Sequence, residues 1–167
     1  MQLATKIGGD IMVYTAQISR SNPTAFLFLI DESGSMQDAM PSGKSKAQQV
    51  ADVLNRTITS LITRCTKSDG TRDYFHLGVI SYSGNGVLNA FKGELESKIL
   101  HPISSIEASP LRIEERMKKT DDGAGGIIEQ SVKFPVWFEP QAHGGTPMRA
   151  ALSKAAEELV SWCDSNP

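Results

Sequence analysis

The sequence predicts an α/β fold, an open sheet with helices packed on its faces. Three stretches carry that expectation. Residues 24–30 (TAFLFLI) form an apolar run without alternation, the pattern of a strand buried on both faces in a parallel sheet. From Lys44 onward, Ala47, Val50, Ala51, Leu54, Ile58, Leu61 and Ile62 recur at three- and four-residue intervals, the spacing of an amphipathic helix. Residues 74–82 (YFHLGVISY) read as a second strand, closed by the turn sequence SGNG.

The remaining elements fit around these three. Residues 13–19 alternate loosely as a short strand, and SRSNP makes a tight turn, with Pro23 breaking the run. Residues 31–43 are loop. Residues 87–91 form an antiparallel partner for the second strand. Residues 98–106 (KILHPISSI) look strand-like, with Pro102 confining them to an edge or bulge. The basic cluster from Arg116 to Lys119 follows two glutamates and reads as a solvated face. TDDGAGG (120–126) reads as a flexible loop. VKFPVWFEP (132–140) is extended, with Trp137 and Phe138 assigned to the core. The last helix opens at TPM, with Thr146 as its cap and Pro147 at the first helical position. Its expected inner face is Met148, Ala151, Leu152, Ala155, Leu159 and Val160.

Composition narrows the class. A chain of 167 residues suits one domain with a substantial core, residues 1–11 being a lead segment and 12–167 the domain proper. Hydrophobic content of 40% and charged content of 22% are those of an ordinary globular protein, which excludes a disordered or fibrous chain. A formal charge of −2 gives no reason to expect a nucleic acid or an anionic membrane as partner. No apolar run approaches the ~20 residues needed to span a bilayer. The opening MQLATKIGGD lacks the pattern of a signal peptide. Cys65 and Cys163 have no metal-type spacing and read as reduced thiols of a cytoplasmic protein.

The chemistry sits where the first strand leaves the core. In open α/β sheets, ligands bind beyond the carboxyl ends of the strands, and Asp31 stands at that end. Asp31, Ser33 and Ser35 alternate, so a locally extended loop directs all three to one side. One carboxylate and two hydroxyls are hard oxygen donors, suited to Mg²⁺ or a related divalent ion (Mn²⁺, Ca²⁺) and poor for zinc or copper. An octahedral shell needs more donors, and Thr146, behind two glycines in GGTPM, is the evident next one. Taken alone, Asp31 is a turn residue and Ser33 or Ser35 a helix cap. Thr146 alone is likewise an N-cap. Taken together, the two segments favour a cation site.

The pair of segments resembles a known family. DESGS, matching Asp-x-Ser-x-Ser after a buried strand, looks like the metal-ion-dependent adhesion site (MIDAS) of von Willebrand factor type A (VWA) domains. GGTPM resembles the second segment of that site, especially in intracellular bacterial members. The resemblance covers about residues 12–167. It implies a doubly wound, mostly parallel sheet with helices on both faces and one antiparallel edge strand. It implies metal ligation by Ser33, Ser35 and Thr146 through hydroxyls, with Asp31 acting directly or through a water. It also implies a protein partner that completes the shell with its own Asp or Glu, and no catalysis. Intracellular bacterial relatives often work in larger assemblies, including stress and defence systems.

One departure follows from the same comparison. The family adds a second Asp after the next core strand, and the sequence ends at Pro167, after the second major helix. The first strand is then expected to have an unpaired edge, a liability in any sheet. A chain completing the sheet is the expected remedy. Asp121, Asp122 and Asp38 are minor candidates for the missing carboxylate. Two alternatives stand beside the metal-bridged module: a metal-independent scaffold with an incomplete site, and a Mg²⁺-dependent phosphohydrolase using Asp31. SGKS (42–45) is rejected as a phosphate loop because Asp38 occupies the required glycine position. HGGT (143–146) is rejected as an esterase oxyanion loop because no G-x-S-x-G accompanies it.

Overall fold

The computed structural model describes residues 17–121, 123 and 125–166, together with the backbone of 4–7 and 10–13. In chain order the strands and helices are β1 (Ala4–Ile7), β2 (Asp10–Val13), β3 (Thr24–Asp31), α1 (Lys46–Cys65), β4 (Thr66–Lys67), β5 (Gly70–Thr71), β6 (Phe75–Ser83), β7 (Gly86–Asn89), β8 (His101–Pro102), α2 (Ile103–Ala108), β9 (Arg112–Asp121), β10 (Ile127–Val136) and α3 (Met148–Ser165). The fold is mixed α/β with a mixed sheet.

The main sheet is organised around β6, whose residues from Leu77 to Ser83 are all buried. On one side β6 pairs in parallel with β3, and on the other it pairs antiparallel with β7 and β8. The hairpin to β7 turns on Gly84-Asn85, as SGNG predicts, with Ser83 opposite Gly86. Alternation along the strands sends side chains to two faces. Phe28, Ile30, Leu77 and Val79 pack with Leu54, Ile58 and Ile62 of α1. Leu27, Leu29 and Ile80 pack with Ala155 of α3.

α1 begins at Lys46, two residues after the expected start at Lys44, because a capping box stops it there. Ser45 Oγ accepts from the Gln48 amide at 3.2 Å, and Gln48 Oε1 accepts from the Ser45 amide at 3.0 Å.

The structure corrects several expectations. β3 is not the fully buried strand expected, since every one of its residues is only partly buried or exposed, and β6 holds the middle of the sheet. Of the strand expected over 13–19, Val13 lies in β2, residues 14–16 lie outside the described residues, and Gln17 and Ile18 are in no strand; Ser19 and Asn22 do form the expected tight turn. KILHPISSI is a two-residue edge strand followed by α2, because Pro102 ends the pairing and Ile103 and Ile106 turn inward at helical spacing. The stretch from 112 to 136, which shows no clear alternation in sequence, is a hairpin of two ten-residue strands, β9 and β10. Arg116 within it is not merely solvated: it stacks 3.6 Å over the Phe134 ring and bonds Asp52 of α1 at 2.7 Å. Trp137 and Phe138 are in the core, as expected, and Cys65 is buried while Cys163 is exposed, both unpaired.

On α3, Ala151 and Ala155 are buried, but Met148, Leu152 and Val160 of the expected inner face are exposed. The other edge of β3 also meets no strand among the described residues. The amides of Thr24 and Glu32 donate across to Tyr74 and Tyr82, so even-numbered residues face β6. By alternation, the N–H and C=O groups of Ala25, Leu27, Leu29 and Asp31 face outward. Beside this edge Phe28, Ile30, Met36, Met40, Val50 and Val53 line an open apolar groove of about 620 Å³.

With small residues at its interface, α3 relies on a polar fastening. Trp162 Nε1 donates to His76 Nδ1 at 2.8 Å, with the two rings edge to face at 5.5 Å. Burial pushes the His76 imidazole below its ordinary pKa; Asp73 opposes this, and Lys98 and His101 add to it. A depressed histidine contributes stability that is present above its unfolded pKa of about 6.5 and is lost as pH falls through the folded value. The thermal midpoint should therefore drop between about pH 7.5 and pH 5. Differential scanning calorimetry of a His76→Phe chain should show a smaller drop than the parent.

Candidate metal centre

The strand β3 delivers Asp31 to the carboxyl end of the sheet, opposite Tyr82 of β6. The chain then turns sharply. The Ser33 amide donates to Asp31 Oδ1 at 2.7 Å, and a single 3₁₀ turn follows over Gly34–Gln37. Ser33 is buried, Ser35 is exposed, and their hydroxyl oxygens lie 3.3 Å apart. Two ligands at right angles on Mg²⁺ would stand about 2.9 Å apart, and on Ca²⁺ about 3.3–3.7 Å. The 3.3 Å between the two hydroxyls is a hydrogen-bond distance, within the Ca²⁺ range and wider than the Mg²⁺ value.

The second segment is brought in by backbone bonds. His143 N donates to Glu32 O at 2.7 Å, Gly34 N donates to Gly144 O at 2.9 Å, and Gly84 N donates to His143 O at 2.7 Å. Three loops thus meet: the one after β3, the β6–β7 turn and the one before α3. Glycine permits the approach. A Cβ on Gly84 would lie 2.9 Å from Gly144 Cα and 3.0 Å from Gly145 N, and Gly144 itself has φ +57°. Sequence reading missed Gly84, because SGNG is fully explained as a hairpin turn.

Thr146 lies two residues beyond this junction and is exposed. Its expected role as helix cap is not realised. α3 starts at Met148 with Pro147 as N-cap and no capping side chain, and the Met148 amide turns back to the Thr146 carbonyl at 2.8 Å. Pro147 has ψ 55°, outside the helical range, which explains why the helix starts one residue late. The Thr146 hydroxyl is left uncommitted by the helix. The structure therefore brings Asp31, Ser33 and Ser35 together on one loop and draws the Thr146 segment alongside through the backbone.

The surroundings are acidic but not crowded. Glu32, between the two halves, is buried, and burial pushes its carboxyl up, with Ser81, His143 and Lys92 opposing. Tyr82 is pushed up by burial and by the Asp31 charge. Among the described residues, no three His, Cys, Asp or Glu side chains gather as a metal cluster. The oxygen set Asp31, Ser33, Ser35 and Thr146 has one carboxylate, so any cation would be held mainly by neutral oxygens. Of the minor candidates, Asp38 is taken by Lys46 at 2.8 Å, Asp121 Oδ1 accepts from Gly123 in the β9–β10 turn, and Asp122 lies outside the described residues. His101 bonds the carbonyls of Leu95 and Lys98 and is structural.

No protein family, curated protein or solved structure matches the chain. Among the described residues no helix is long and apolar enough to cross a membrane.

The loop junction makes a direct prediction. Gly84→Ala should cost about 1–3 kcal/mol in urea unfolding, because the neighbouring atoms of His143, Gly144 and Gly145 are backbone and cannot rotate away. Gly145→Ala, whose Cβ would meet nothing within 4 Å, should stay within about 0.5 kcal/mol of the parent.

Proposed function

We propose that the chain is a VWA-like domain, doubly wound in plan, that binds a protein partner through a divalent cation. The observation that supports this best is the backbone junction joining the DESGS loop to the HGGT loop at the carboxyl end of β3. Asp31, Ser33 and Ser35 lie together on the first loop, and the junction holds the segment that leads to Thr146 against that loop. Mg²⁺ fits such a set, as do Mn²⁺ and Ca²⁺. Hydroxyl ligands neutralise little of the ion's charge, so it stays attractive to an Asp or Glu carboxylate from the partner. No catalysis is proposed.

The open edge of β3 supports a second part of the reading: an extended apolar segment from another polypeptide completes the sheet there. Neither a nucleic acid nor a membrane is proposed as partner. The unpaired Cys65 and Cys163 suit a reducing compartment, and the cytoplasm is the proposed location.

A metal-independent scaffold is the second reading. It is favoured by the way the loop satisfies itself, with Asp31 bonded to the Ser33 amide and the two serine hydroxyls bonded to each other.

Titration calorimetry with Mn²⁺ and Mg²⁺ separates the two. The metal-bridged reading expects uptake by the parent chain, loss in Asp31→Ala, and about tenfold weaker binding in Ser33→Ala or Thr146→Ala. No uptake at millimolar metal would favour the scaffold. Phosphate-ester turnover lost in Asp31→Ala would establish an enzyme instead.

A further inference from the structure

Asn55 is a polar residue in an apolar stripe. Along α1 the buried side chains are Ala47, Ala51, Leu54, Ile58, Ile62 and Cys65, and Asn55 lies among them at 2% exposure. A buried amide is costly unless its hydrogen-bonding capacity is met. Here all of it is met. Nδ2 donates to Ala51 O at 2.9 Å and to Phe138 O at 2.8 Å, and Oδ1 accepts from Trp137 N at 2.8 Å and Phe138 N at 3.1 Å. Two donors and two lone pairs are the full inventory of the side chain.

The place of this clamp is informative. α1 follows the loop that carries Asp31, Ser33 and Ser35. Trp137 and Phe138 directly follow β10 and lead into the loop that carries Thr146. The clamp thus ties the helix after the first half of the site to the segment before the second half. Between the clamp and the junction, Gln37 Nε2 donates to Ala142 O at 3.1 Å, so the path from Phe138 to His143 is held again by the first loop.

We propose that Asn55 is a positioning residue, setting the path of residues 137–143 so that His143 and Gly144 meet the loop that carries Ser33 and Ser35. This rests on the metal reading of the site. A purely structural role would make Asn55 important for stability everywhere; a positioning role makes it important at the junction first.

Hydrogen exchange on the metal-free chain distinguishes these. The variant is Asn55→Ser, whose hydroxyl can bond back to the carbonyl four residues earlier, as Thr57, Thr59 and Thr63 do on the same helix. The amides of Gly34, Gly84 and His143 should exchange at least about tenfold faster, while those of Val79 and Ile80 in β6 stay unchanged. Equal acceleration at all five sites, or none, overturns the proposal. Mn²⁺ affinity should also fall about tenfold or more, in the range of residues that orient metal ligands without touching the metal. Parent-like affinity overturns it. If the parent takes up no Mn²⁺, the metal reading fails, and the exchange pattern still decides whether Asn55 sets the junction.

Discussion

The candidate site depends on a constraint of the backbone rather than on any ligating side chain. Three loops from distant parts of the chain touch through the bonds from Gly34 to Gly144, His143 to Glu32 and Gly84 to His143. Such contact requires main chains to come closer than any Cβ permits, which is why Gly84 and Gly144 face each other there. In the proposed site, the loops that carry Ser33, Ser35 and Thr146 are held by that approach. Chemistry is thereby separated from geometry: the side chains can be exchanged for similar ones, whereas the glycines cannot.

The β9–β10 ribbon is tied down by charge where it meets the domain. Asp52 receives Lys44 and Arg116, and Arg116 also holds Glu114 at 2.8 Å. Burial pushes the Asp52 carboxyl up, and these bonds outweigh burial and leave it below the usual range. Farther along, Met117, Ile127 and Ile128 are exposed, so the ribbon keeps little apolar contact beyond its base.

How much was legible in the sequence follows from how each element is held. α1 could be read because a single buried stripe dictates its period. β3 and β6 could be read because both faces of each carry apolar residues. The central position of β6 could not, since pairing order depends on partners that a local run does not name. The ribbon escaped notice because its strands are stabilised by cross-strand pairing and by Arg116 over Phe134, with charges on both faces and no apolar alternation. α2 was hidden by its shortness and by Pro102. For the site, the ligand types and their two loops were visible as residues, while the junction that joins them involves backbone atoms that every residue shares. Thr146 was misassigned as a cap because a threonine before a proline looks the same in either role; the ψ of Pro147 decides it.

For the proposed partner strand, the outer edge of β3 has a consequence for selectivity. Its hydrogen-bonding groups are those of any backbone, so they distinguish one incoming strand from another hardly at all. Discrimination must come from the side chains that flank them, Phe26, Phe28 and Ile30 on one face and Ala25, Leu27 and Leu29 on the other. These differ in volume but not in charge, so they sort candidates by shape. Asp31 is the one charged residue of the strand, and it stands at its end. A strand lying one or two residues out of step would bring different side chains to that carboxylate. Shape would then choose the occupant, and a single charge would fix its alignment.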